Sequence, residues 1–94
     1  MVNEPTSRPL IDGGLAEPAR AILQKLVRNR DIGGKKPKRL ILQHVLEVWP
    51  NRKTAKAALD RLVAIGWVCT APHKGEKRFW LNWGAIREVE SFLQ

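Results

Sequence analysis

Apolar residues recur at helical spacing in four stretches of this chain, and a fifth stretch alternates. From about Glu17 to Asn29, the residues Ala19, Ile22, Leu23, Leu26 and Val27 fall on one helix face. Pro18 suits a first helical position, where its missing N–H costs nothing. The run Asp31 to Pro37 breaks the pattern with two glycines and a proline, although Ile32 can pair as a one-rung strand. A second helix is expected from about Lys38 to Val48. Leu40, Ile41, Val45 and Val48 share its face, Leu42 and Leu46 widen it, and Trp49-Pro50 ends it.

The third helix has a marked start and stop. Asn51 suits the N-cap, and Ala55, Ala58, Leu59, Leu62 and Val63 form the buried edge. Gly66 falls where a left-handed residue ends a helix. Two β-prone runs follow, Trp67 to Thr70 and Lys77 to Leu81, with Pro72, His73, Lys74 and Gly75 between them. This predicts a hairpin with a tip of about four to six residues, its Phe79 and Leu81 on one face and Arg78 and Trp80 on the other. Asn82 can cap a last helix from Trp83 to about Phe92, with Trp83, Ile86, Val89 and Leu93 inward. Residues 1–14, with two prolines and two glycines, read as a flexible arm, and structure is expected to begin near Leu15. Residues 15–94 then make one domain. The element order gives a fold that is mainly α with a small β-hairpin, a winged helix-turn-helix.

Composition sharpens this. The chain has 94 residues, so it can bury one modest core and has little room for a deep substrate cavity. It carries 17 Lys and Arg against 9 Asp and Glu, a formal charge of +8. That bias points to a polyanionic partner, nucleic acid before an anionic membrane surface. The cations cluster in three places. Lys35, Lys36, Lys38 and Arg39 lie before and within the expected second helix. Arg52, Lys53, Lys56 and Arg61 lie on the third, with Asp60 as its one acid, and His73, Lys74, Lys77 and Arg78 on the wing, with Glu76. The expected recognition helix is 51–65 and the wing tip 71–77, the two brought to one side by the fold. Arg52, Lys56 and Arg61 are the base-reading candidates, His73 and Lys74 at the wing tip can enter the minor groove or track the backbone, and phosphate contacts give most of the affinity.

Candidate catalysis is absent from the pattern. No serine, cysteine or histidine stands in a nucleophile-and-base arrangement, His44 and His73 lack metal-ligand spacing, and the glycine pairs are not phosphate loops. A non-catalytic chain without cofactor or metal is expected. Cys69 is the only cysteine, which fits a reducing compartment, and is expected to be a small buried hydrophobe. With no apolar span and no signal pattern at the N-terminus, a cytoplasmic protein without membrane contact is expected. Of the four tryptophans, Trp67 and Trp83 read as core or core-edge and Trp49 as packed at the turn. Trp80 shares a strand face with Arg78, which the first helix or the N-terminal arm more often covers; an open face there lets it stack on a base.

The segment from Glu17 to about Asn82 resembles the small winged-helix domain at the C-terminal end of plasmid-, phage- and genomic-island-encoded replication proteins of the helicase/primase type. The resemblance rests on A-R-A-I-L at Ala19 to Leu23, A-A-L-D-R-L-V-A-I-G-W-V at Ala57 to Val68, and K-R-F-W-L-N at Lys77 to Asn82. It implies binding to an origin or a DNA junction beside a motor carried elsewhere, with other replication proteins as partners. One departure stands out: where such domains carry an acidic, polar turn, this chain has Trp49-Pro50-Asn51-Arg52-Lys53. The leading expectation is therefore a DNA-binding winged helix that prefers duplex to single strand. The alternatives are a protein-docking winged helix and a small dimeric transcription regulator joined through its last helix.

Overall fold

The computed structural model describes Ile11, residues 13–28 and residues 40–94. Lys35, Lys36, Lys38, Arg39 and the expected strand at Ile32 lie outside the described residues, as do positions 1–10 of the expected arm.

The described chain is mostly helical. Helix α1 (Ala16–Arg28) follows a short 3₁₀ turn at Gly13–Leu15. Strand β1 (Leu40–Ile41) leads directly into α2 (Leu42–Leu46), and α3 (Arg52–Ala64) follows. Strands β2 (Val68–His73) and β3 (Glu76–Leu81) form a hairpin. A 3₁₀ turn at Trp83–Ala85 then opens α4 (Ile86–Leu93). The sheet is antiparallel in the order β1-β3-β2.

One core joins these pieces. Ala19, Ile22 and Leu23 of α1, Ala55, Ala58, Leu59 and Leu62 of α3, and Val89 of α4 are fully enclosed. The small Ala55 and Ala58 lie on α3's packed face. Ile11 is also buried, at 1% exposure, so the core reaches further toward the N-terminus than Leu15. Arg20 fastens α4 to α1: its Nη1 donates to the Leu93 carbonyl at 2.9 Å while its guanidinium lies 5.2 Å from the centre of the Phe92 ring. Phe92 in turn meets Trp67 edge-on at 5.6 Å, which makes Trp67 a core residue.

Four expectations need correction. The second helix does not run from Lys38 to Val48. Leu40 and Ile41 are strand, paired with Phe79 and Arg78, and only Leu42–Leu46 is α-helical. A two-stranded hairpin is marginal alone, and β3 has a second edge to fill, so the sheet takes these two residues from the helix. The hairpin tip is two residues, Lys74 and Gly75, with φ of 53° and 87°. Positive φ at both central positions matches the twist of the flanking strands. Pro72 sits within β2, an edge strand, where a proline is tolerated. Trp83 is not inward: it is 41% exposed, because the last helix opens with a 3₁₀ turn that places Ala85 at the core instead. Cys69 is half-buried, since strand alternation turns it away from the face of Val68 and Thr70.

Candidate functional site

Helix α3 is fixed at both ends by its own sequence. The Asn51 side chain accepts the Thr54 N–H at 3.0 Å, and the Asn51 carbonyl accepts the Ala55 N–H. At the other end Gly66, at φ 88°, donates to Val63 and Trp67 donates to Leu62, a paired closure that needs a left-handed residue. Asn82 ties the end of β3 to this point. Its Nδ2 donates to the Gly66 carbonyl at 2.6 Å, its N–H to Trp67, and its Oδ1 accepts from Gly84.

The outer face of α3 carries Arg52, Lys53, Lys56, Asp60 and Arg61, all exposed. The first turn holds no acid; it holds Arg52 and Lys53. Both backbone N–H groups there are unclaimed by the helix, and the dipole end is positive. Cations at this end destabilise a helix by some tenths of a kcal/mol each, about 0.3–1. Neither Arg52 nor Lys53 has an ion-pair partner among the described residues.

Beside this face the hairpin closes a shallow cleft of about 280 Å³. Lys56, Asp60 and Val63 of α3 line it together with Thr70 and Phe79 of the sheet, Lys77 near the tip and Leu42 of α2. Lys56 Nζ donates to both carboxylate oxygens of Asp60 at 3.1 Å. Thr70 Oγ1 is enclosed without a hydrogen-bond partner. An unmet buried hydroxyl costs about 1–3 kcal/mol.

The fold therefore brings Lys56 and Lys77 to one cleft, with His73 and Lys74 exposed at the hairpin's end. It does not gather every candidate. Strand register puts Arg78 and Trp80 on the opposite sheet face, with Cys69, Ala71 and Ile41. Arg78 is partly buried and pairs with Glu76 at 3.3 Å, and its Nε is enclosed without a partner. Trp80 is also partly buried. Arg61 lies on the exposed side of α3, outside the residues lining the cleft. Thr70 was not a candidate from the sequence. Only the register, which seats it opposite Phe79, shows that it faces the α3 side.

Among the described residues no group of three or more His, Cys, Asp or Glu is placed to hold a metal ion. No described helix is long and apolar enough to cross a membrane. Compared with protein-family models, curated proteins and solved structures, the chain has no match in any of the three.

Proposed function

We propose that this chain is a winged-helix domain that binds duplex DNA without catalysing a reaction, with α3 in the groove and the Lys74-Gly75 tip on the backbone. One observation carries the reading: the first turn of α3 holds Arg52 and Lys53, two cations without an ion-pair partner among the described residues, where the helix dipole favours acids. Such a turn is stabilised by an external anion, and a phosphate meets both the side chains and the free N–H groups. The order helix, short strand, helix, helix, hairpin supports the winged-helix reading, as does the β1-β3-β2 sheet. The net charge of +8 adds long-range attraction to a polyanion. Lys56 and Arg61 are the candidates for base edges, and His73, Lys74 and Lys77 for the backbone. The sequence resemblance described above supports a place in a mobile-element replication protein of the helicase/primase type.

The test is a titration of labelled duplex and matching single strand at two salt concentrations, with the wild type and with Arg52→Ala/Lys53→Ala/Lys56→Ala. The expected result is roughly micromolar or tighter binding at low salt, with a log–log salt slope that falls by about 0.9 for each phosphate contact removed. Absence of binding at low salt overturns the proposal and moves the search to an acidic protein partner.

A further inference from the structure

The cleft between α3 and the hairpin has a composition that a phosphate alone does not explain. Leu42, Val63 and Phe79 give it apolar surface, and the Asp60 carboxylate in its wall repels an anion. Lys56 is already engaged with that carboxylate through two bonds of 3.1 Å. Asp60 still has lone pairs to offer, because an ionised carboxylate accepts at about four sites. Thr70 adds a hydroxyl with no partner. As the side chain stands its Oγ1 is enclosed, and it reaches a ligand only after a step to another staggered χ1 well. Lys77 is exposed, with no ion pair among the described residues.

A ligand that satisfies this set is flat and apolar on its faces, donates from one edge to a carboxylate, and carries an anion for Lys77. We propose that the cleft takes a single unstacked nucleobase bearing an exocyclic amine, cytosine, adenine or guanine. The amine donates to Asp60, Thr70 meets the neighbouring edge atom, and Lys77 meets the phosphate. Aspartate accepting from the cytosine amine is an established edge pairing, and thymine lacks the donor. The volume, about 280 Å³, lies near the small end of ligand sites and suits one base. This inference rests on the DNA reading above and refines it: α3 holds the duplex phosphates while the cleft holds a base freed at a junction or end.

The experiment compares two equal-length single strands, one all thymine and one alternating thymine and cytosine, with dCMP as a free competitor. The cytosine strand is expected to bind roughly five- to a hundredfold tighter than the thymine strand. Asp60→Asn is expected to shrink that ratio to about twofold or less, because an amide can donate to thymine as well as accept. Thr70→Val is expected to shrink it too, and stands in if the first variant does not fold. Arg52→Ala/Lys53→Ala is expected to weaken both strands alike and leave the ratio intact. Competition by dCMP, sensitive to Asp60→Asn, shows that a free nucleotide also fills the cleft. Equal binding of both strands by the wild type, or a ratio indifferent to Asp60 and Thr70, overturns the base site while leaving the DNA reading in place. Failure of both single strands to bind at low salt, with a matching duplex still bound, overturns the base site alone. Failure of the duplex as well overturns the DNA reading itself, and dCMP then tests the cleft alone: no binding of it overturns the site as well.

Discussion

Helices α2 and α3 have similar hydrophobic spacing and very different fates. Helix α3 runs for 13 residues between a side-chain cap at Asn51 and a left-handed glycine at Gly66. Helix α2 runs for five, follows an extended Ile41 that makes no side-chain cap bond, and stops at Leu46. Periodicity states which face of a segment is apolar; it does not state how long the segment stays helical. Ends are set by groups that answer the unpaired N–H and C=O positions, and α3 has them at both ends. A five-residue helix is unstable alone and persists because Val45 and Leu46 are buried.

If that contrast is right, the two helices should respond unequally to the loss of a buried side chain. Leu59→Ala removes a fully enclosed residue of α3, and is expected to cost about 2–5 kcal/mol in urea unfolding. Val45→Ala deletes fewer methylenes and is expected to cost less. Equal losses would show α2 to be as central to the core as α3.

The next effect lies in the caps. Gly66→Ala is expected to cost about 1–2 kcal/mol, the penalty of a left-handed backbone for an L side chain. A Cβ added there meets nothing within 4 Å, so the loss isolates backbone conformation from packing. Gly66→Asn is expected to lose less, since asparagine visits this region more readily. Asn51→Ala is expected to cost about 1 kcal/mol, by removing the bond to Thr54. Thermal or urea unfolding of the three variants in parallel ranks them. A silent Gly66→Ala would remove the cap from the explanation of why α3 persists.

The same division governs what the sequence could show. The helix around Leu59, its caps at Asn51 and Gly66, the hairpin and the cap at Asn82 were all legible, because each is signalled within a few neighbouring residues. The strand at Leu40–Ile41 was not, since those residues fit a helix face equally well and only β3, nearly forty positions later in the chain, decides between the two. The Lys74-Gly75 turn was hidden because lysine is an uncommon choice for a positive φ. For the candidate site, the cations of α3 and the hairpin were legible as charge. The cleft was not, because it depends on Lys56, Asp60, Thr70 and Lys77 meeting across three elements. The parting of Arg78 and Trp80 from Lys77 follows from strand alternation once the register is known.

The smallest expected effect on stability separates the exposed face of α3 from its buried one. Lys56 and Asp60 form an i,i+4 pair with side chains 49% and 63% exposed. Pairs this exposed contribute about 0.3–0.5 kcal/mol, and the order here, cation before acid, is the weaker one. Asp60→Asn is therefore expected to shift the unfolding midpoint barely, and less still at high salt, where screening already weakens the pair. A loss near that of Leu59→Ala would mean that Asp60 holds the hairpin to α3 as a structural strut. In that event its presence in the cleft would need no ligand to explain it. A near-silent unfolding curve shows that Asp60 is not a structural strut, which leaves its exposed carboxylate in the cleft wall open to a ligand.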